Sequence, residues 1–122
     1  MIELPTLIHS KELETVIQKK LSLIAFGTPW SSPCQIQYKI LANCMRRYRD
    51  IIAIARVDVE THPGIARRCD IQTVPTLIMY RKNKEIKRLV GLQSVETLST
   101  LIQAKRLSDI NTCTAGEAES RL

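Results

Sequence analysis

The hydrophobic and polar positions of the chain fall into blocks that predict alternating strands and helices. Residues 21–26 are nearly all apolar, which is typical of a strand covered by helices on both faces. Residues 51–58 form a second buried-strand pattern, and residues 77–80 form a third. Between the first two strands, apolar residues at helical spacing predict a long helix with one buried face: Ile36, Ile40, Leu41, Cys44, Met45 and Tyr48.

Shorter elements are predicted on either side of these blocks. Leu7 and Ile8 predict a short strand end, and we expect Ser10 to cap a helix over residues 11–19. The sequence Thr61-His62-Pro63 predicts the start of a short helix over residues 64–68, because proline is favoured in the first turn.

The last third of the chain predicts a strand hairpin and a final helix. Residues 81–84 are typical of a hairpin turn, in which Asn83 can take a positive φ. A strand over residues 85–90 follows and ends at Gly91. Ser94 then caps a helix whose apolar residues lie on one face.

This order of elements predicts an α/β fold. Strands that alternate with helices must pair in parallel, whereas the hairpin adds antiparallel strands. The result is a mixed sheet with helices on both faces. We expect one domain over residues 1–106 and a flexible, mostly polar tail over residues 107–122.

Composition and charge narrow the class of protein. A chain of 122 residues with 44% hydrophobic residues is enough for one core. No apolar run approaches the roughly 20 residues of a membrane helix, and the first residues lack the pattern of a signal peptide, so we expect a cytoplasmic protein. The net charge is +6, but the basic residues are dispersed and only 4% of residues are aromatic, which argues against nucleic-acid binding.

Cysteine and histidine spacing gives no sign of a metal or a disulfide. The four cysteines and two histidines show none of the short paired spacings of zinc sites, so we expect no metal and no cofactor. Cys34 and Cys44 would lie on one helix about 15 Å apart, at about 1.5 Å per residue, which is beyond disulfide reach. We interpret Cys44 and Cys69 as buried, reduced residues.

The turn before the long helix carries the candidate chemistry. It reads Trp30-Ser31-Ser32-Pro33-Cys34, with a serine suited to the N-cap and a proline suited to the first helical turn. Cys34 lies in that first turn. The helix dipole and unpaired N–H groups there favour a thiolate, provided the thiol is not buried.

Several separated segments give the chain a resemblance to the thioredoxin family over residues 7–104. The turn at Trp30 resembles the family's active-site turn, in which Trp is followed by Cys, a small residue, Pro and Cys. Three further segments match in family order: Val57-Asp58-Val59-Glu60 with Pro63, Val74-Pro75-Thr76, and Val90-Gly91. The resemblance implies a three-layer α/β/α sandwich with four to five strands and about four helices. It also implies protein thiol–disulfide oxidoreductase activity in cell redox homeostasis.

The resemblance assigns roles to individual residues and reveals departures. Ser31 occupies the position of the family's attacking cysteine, and Cys34 that of the resolving cysteine, so the chain is expected to be redox-deficient. Ser32 and Pro33 complete the active-site turn. Ala25 stands where the family commonly buries an acid, which predicts slow resolution, and Arg56 stands at a position often held by lysine.

The resemblance also implies a substrate surface and partners. The surface comprises Trp30, Val59, Val74, Pro75, Val90 and Gly91. The Val74–Pro75 bond would be cis, although the residues alone leave cis and trans equally open. The implied partners are proteins with disulfides or exposed cysteines and a reductase of the thioredoxin reductase type. We expect the chain itself to be a monomer.

Two questions remain open at this point. Ser31 is either the natural residue or an introduced replacement of a cysteine. The chain is either a thiol–disulfide oxidoreductase that lacks its nucleophile or a non-redox module that binds peptides or proteins in the groove beside Trp30.

Overall fold

The computed structural model describes residues 5–114 of the chain. Within this range, five strands and four helices follow one another along the sequence: β1 (Thr6–Leu7), α1 (Ser10–Ile17), β2 (Ser22–Gly27), α2 (Ser32–Tyr48), β3 (Ala53–Asp58), α3 (Pro63–Arg68), β4 (Thr76–Arg81), β5 (Lys84–Val90) and α4 (Val95–Thr114).

The five strands form a single mixed sheet in the order β1-β3-β2-β4-β5. β2 pairs in parallel with β3 and antiparallel with β4, and every residue of β2 is buried. This confirms the predicted α/β fold with its parallel and antiparallel parts. The apolar run that predicted β2 therefore forms the centre of the sheet.

Two hydrophobic clusters cover the two faces of the sheet and produce three layers. Leu23 and Ala25 belong to one cluster, together with residues of α2 and α4. Ile24 and Phe26 belong to the other, with residues of α1 and α3. Because successive side chains of a strand point to opposite faces, β2 alone contributes to both clusters. This is the three-layer sandwich that the sequence led us to expect.

The first helix begins one residue earlier than the sequence indicated. We expected Ser10 to be the N-cap, but the N-cap is His9, whose backbone is extended, and the helix starts at Ser10. The His9 N–H donates to the Glu12 carboxylate at 2.9 Å. The prediction for Ser10 was wrong because this contact between Glu12 and the His9 N–H places the first turn one residue earlier.

Most other boundaries shift by one or two residues, and the hairpin turn is confirmed. The third strand begins at Ala53 rather than at residue 51. Both Lys82 and Asn83 have positive φ, at 47° and 75°. The last helix continues to Thr114, past residue 107, where we expected a tail to begin. Residues 115–122 of that expected tail lie outside the described residues. In the described part of the chain, no helix is both long and apolar enough to cross a membrane.

Candidate functional site

Four segments meet at the end of the sheet where β2 and β3 finish. Phe26 pairs with Thr76, so Gly27 and Pro75 lie next to each other beyond the last pair. The Gly27 carbonyl accepts a hydrogen bond from the Val59 N–H at 3.0 Å, and the Pro75 carbonyl accepts one from the Gly91 N–H at 2.8 Å. The Val74–Pro75 peptide bond is cis.

The turn into α2 is held by its own side chains. Ser31 is the N-cap, and its hydroxyl oxygen accepts a hydrogen bond from the Cys34 N–H at 3.4 Å. The Gln35 side-chain amide donates to the Pro29 carbonyl at 2.8 Å. Ser32 and Pro33, which follow the cap, are exposed, whereas Ser31 is half-buried. The capping contact stabilises a helix by about 1 kcal/mol and fixes where Ser31 lies.

Cys34 lies beneath this turn and is fully buried, with 0% of its surface exposed. A β-carbon added to Gly27 would lie 2.8 Å from the Cys34 sulfur and 2.5 Å from the Tyr38 hydroxyl. The absence of a side chain at Gly27 therefore makes room for both groups. Among the described residues, Cys34, Cys44 and Cys69 are all free thiols. No intrachain disulfide involves Cys34 within that range.

A buried tyrosine and a half-buried arginine lie behind Cys34. Ala25 is buried and pairs with Arg56 across the sheet. The Arg56 guanidinium lies 5.0 Å from the centre of the Tyr38 ring, and its Nε donates to the Pro5 carbonyl at 2.9 Å. Burial, with a smaller contribution from the nearby Cys34, raises the pKa of Tyr38 to about 12. Tyr38 is therefore neutral at physiological pH.

Tyr38 was not among the site residues predicted from the sequence. One signal was available, because Tyr38 lies four residues after Cys34 and so shares its face of α2. Its partner Arg56 was noted, but only from the family resemblance. The stacking between the two depends on a strand and a helix that meet only in the folded chain.

An exposed apolar surface surrounds the end of the sheet. Trp30 is 66% exposed and Val90 is 62% exposed, whereas Val59, Val74 and Gly91 are half-buried and Pro75 is buried. The Trp30 indole N–H donates to the Glu60 carboxylate at 2.9 Å. The indole is thus held against the loop after β3. Of the predicted surface residues, Trp30 and Val90 offer the most side-chain area.

A buried glutamine fixes the loop after β5, and sequence reasoning missed it. Gln37 in α2 has 0% exposure. Its side-chain amide donates to the Gln93 carbonyl at 3.1 Å and accepts from the Gln93 N–H at 2.7 Å. The Gln93 side chain donates in turn to the Gly91 carbonyl at 3.1 Å. The only sequence signal was a polar residue among the apolar positions of α2.

The described residues contain no group of three or more His, Cys, Asp or Glu side chains that could hold a metal ion. The chemistry that this end of the sheet offers is that of a buried thiol, a capping hydroxyl and an exposed apolar surface. The roles that the sequence predicts for Ser31, Cys34 and the surface residues remain predictions.

Comparison with known proteins gives consistent matches. The family model described as Thioredoxin matches residues 5–104. The chloroplastic Thioredoxin Y2 of Arabidopsis thaliana is 32% identical over 88 residues, which cover 69% of this chain and 53% of that protein. The Thioredoxin of Chlamydia caviae is 28% identical over 95 residues, covering 78% of this chain and 92% of the relative.

Solved structures share the fold. A mutant thioredoxin from Halobacterium salinarum has a TM-score of 0.77 and 25% identity, covering 82% of this chain and 88% of that one. The oxidised thioredoxin from Plasmodium falciparum has a TM-score of 0.75 and 20% identity, covering 84% and 98%.

Proposed function

Because the chain belongs to the thioredoxin family, we propose that it is a protein thiol–disulfide oxidoreductase in a redox-deficient form, with Ser31 at the position of the attacking thiol. Its substrates are proteins with disulfides or exposed cysteines, and its electron donor is a reductase of the thioredoxin reductase type. We also propose that the chain acts in the cytoplasm as a monomer.

The observation that carries this proposal is the pairing of a half-buried Ser31 with a fully buried Cys34 one helical turn below. In disulfide exchange, a thiolate attacks one substrate sulfur, forms a mixed disulfide and releases the other sulfur as a thiolate. A second thiol of the enzyme then attacks the mixed disulfide. The reduced substrate leaves, and an intrachain disulfide remains.

Serine cannot take the first step, because its oxygen forms no disulfide. Cys34 is poorly placed to replace it, since its sulfur has no exposed surface and an incoming disulfide must reach the attacking sulfur directly. Resolution is also expected to be slow. Ala25 supplies no carboxylate behind Cys34, and the neighbouring Tyr38 is a weak acid with a pKa of about 12.

The proposal is tested by the substitution Ser31→Cys. We expect this variant to accelerate the reduction of insulin disulfides by dithiothreitol, whereas the parent chain stays at the uncatalysed rate. Ser32→Cys is the matched control, because it adds the same thiol one residue along, outside the capping position. The double variant Ser31→Cys, Cys34→Ser should accumulate a mixed disulfide.

Two results would contradict the proposal. A folded Ser31→Cys variant that is no faster than the parent would remove the oxidoreductase assignment. A parent chain that already reduces insulin at a catalysed rate would remove the redox-deficient assignment, because Cys34 would then act alone.

The exposed surface beside the cis Val74–Pro75 bond favours a second candidate function, a non-redox module that binds peptides. Trp30 and Val90 are both mostly exposed, and the Glu60 contact holds the indole in place. Apolar area of this kind on a monomer is typical of a binding surface when it is contiguous.

The single tryptophan makes this second function directly measurable. We expect an extended, cysteine-containing apolar peptide to shift the fluorescence of Trp30 in the parent chain. Val90→Glu should weaken this binding at least tenfold, whereas Leu107→Glu, on an exposed part of α4, should not. Equal titration curves for the two variants would rule out binding at this surface.

A further inference from the structure

Basic residues that are dispersed in the sequence meet at the end of the sheet where β2 begins. The turn between β4 and β5 packs there against the turn between α1 and β2. The Lys82 N–H donates to the Lys19 carbonyl at 3.2 Å, and the Asn83 N–H donates to the carbonyl of the last residue of α1 at 2.7 Å. The Arg81 guanidinium donates to the Lys105 carbonyl at 3.3 Å. These contacts place both turns and part of α4 side by side across the end of the sheet.

The side chains of these segments form a surface that we call the basic end. It comprises Lys19, Lys20, Lys82, Lys84, Lys105 and Arg106. Five of these residues are exposed, and Lys105 is half-buried. The segments 17–20, 81–85 and 105–106 contain one acidic residue, Glu85, whose carboxylate pairs with Arg88 at 2.8 Å. No carboxylate within these described segments therefore neutralises the charge of the basic end.

The composition of the basic end indicates the chemistry of its partner. Five of its six cations are lysines, which are strongly hydrated point charges, whereas specific contacts with proteins and nucleic acids favour arginine. It also has no aromatic side chain to stack on bases, because the tyrosines and the phenylalanine are buried and Trp30 follows the opposite end of β2. Clusters of about four to eight basic residues are typical of surfaces that bind anionic lipid.

We propose that the basic end binds the surface of a bilayer that contains anionic phospholipids. Each cation near such a surface strengthens binding about fivefold. Leu107, which follows Arg106, is 58% exposed and can enter the headgroup region beside the cations.

This orientation keeps the candidate functional site away from the lipid. The six residues of β2 separate the basic end from the turn at Trp30, which corresponds to about 20 Å at about 3.3 Å per residue. A bound chain therefore leaves Trp30 and Ser31 open to protein partners. The proposal does not depend on the thiol chemistry of the site.

The test is co-sedimentation of the full chain with vesicles of equimolar phosphatidylserine and phosphatidylcholine, at about 0.1 M salt. We expect binding to these vesicles and none to phosphatidylcholine alone. The double variant Lys20→Gln, Lys84→Gln should bind about 25-fold more weakly. Lys39→Gln with Arg67→Gln is the matched control, because it removes the same charge from exposed positions outside the basic end. It should change the affinity less than about twofold.

A second readout reports the orientation of the bound chain. Trp30 is the single tryptophan, and brominated phosphatidylcholine in the same vesicles should leave its fluorescence unchanged, because bromine quenches only over short distances. Quenching would mean that the surface at Trp30 contacts the lipid, and it would overturn the proposal.

Two further results would also overturn the proposal. Equal losses of binding in the two double variants, with both folded by circular dichroism, would mean that net charge alone attracts the chain to the vesicles. Binding to duplex DNA or polyglutamate at the same salt, without binding to the anionic vesicles, would assign the basic end to a nucleic-acid or protein partner instead.

Discussion

At the scale of single residues, the contact of Gly27 with Tyr38 and Cys34 governs the space behind the active-site turn. A β-carbon at position 27 would lie 2.5 Å from the Tyr38 hydroxyl and 2.8 Å from the Cys34 sulfur. Both distances are too short, and both neighbours are buried. The arrangement therefore requires glycine for lack of space, since neither buried neighbour can move into solvent.

The first prediction is that Gly27→Ala lowers the free energy of unfolding by about 1–3 kcal/mol through overpacking. Urea unfolding measures this loss. Gly64→Ala is the control, because nothing lies within 4 Å of the added carbon. Adding Tyr38→Phe to Gly27→Ala removes the closest clash, so the double variant should lose less than the sum of the single losses. Equal losses for Gly27→Ala and Gly64→Ala would contradict this account.

The second prediction concerns the buried Tyr38 at alkaline pH. Its pKa is raised to about 12 in the folded chain, against about 10 for an exposed tyrosine. The neutral hydroxyl thus stabilises the fold fully below pH 10, and this contribution is lost as the pH rises towards 12. The free energy of unfolding of the parent, measured in urea, should fall by up to about 2–3 kcal/mol over this interval because of Tyr38 alone.

The matched variant for this pH dependence is Tyr38→Phe. It has no hydroxyl to ionise, so its free energy of unfolding should fall less between pH 10 and pH 12 than that of the parent. Tyr80, whose pKa burial also raises, remains in both proteins and accounts for a shared decrease. Parallel curves for the two proteins would show that Tyr38 ionises equally easily in the folded and unfolded chains.

At the scale of elements, α4 combines a buried stripe with a polar remainder. Leu98 and Ile102 have 0% exposure, whereas Leu107 is 58% exposed. The third prediction is that Leu98→Ala lowers the free energy of unfolding by about 2–5 kcal/mol, because it leaves a cavity in the core. Leu107→Ala, the same change in the same helix, should alter it by less than about 0.5 kcal/mol. Thermal or urea unfolding distinguishes them, and equal losses would mean that α4 packs differently.

The same helix shows where sequence patterns stop being informative. The apolar stripe predicted the first three turns of α4, because the burial of Leu98 and Ile102 stabilises these turns. The mostly polar residues from 107 onwards carry no such signal, yet they include neither glycine nor proline before residue 115. A polar composition removes the evidence for packing without ending the helix, so the predicted end at residue 107 was too early.

The strands were easier to predict than the site. Buried strands such as β2 appear as apolar runs, since both of their faces are covered. The Ser31 cap and the position of Cys34 in the first turn also followed from local residue preferences. By contrast, Tyr38 behind Cys34 and Gln37 on the loop at Gln93 depend on contacts between distant segments. Local periodicity contains no information on those contacts.

At the scale of the whole molecule, the sheet separates two cores that share one cooperative fold. Leu98 belongs to the cluster with α2 and α4, and Ile65 to the cluster with α1 and α3. Because the sheet lies between these side chains, they have no shared contacts. Energetic effects at such sites usually add within about 0.3–0.5 kcal/mol.

The fourth prediction is therefore that Leu98→Ala and Ile65→Val destabilise the chain additively. The second change should cost about 0.5–1.5 kcal/mol, and the double variant should lose the sum of the two single losses in urea unfolding. Gly27→Ala with Tyr38→Phe supplies the contrasting pair, because those residues touch and should not add. A deviation from additivity above about 1 kcal/mol for the first pair would mean that the sheet transmits packing changes from one face to the other. In that case, substitutions in the core beneath α3 would also alter the surroundings of Cys34.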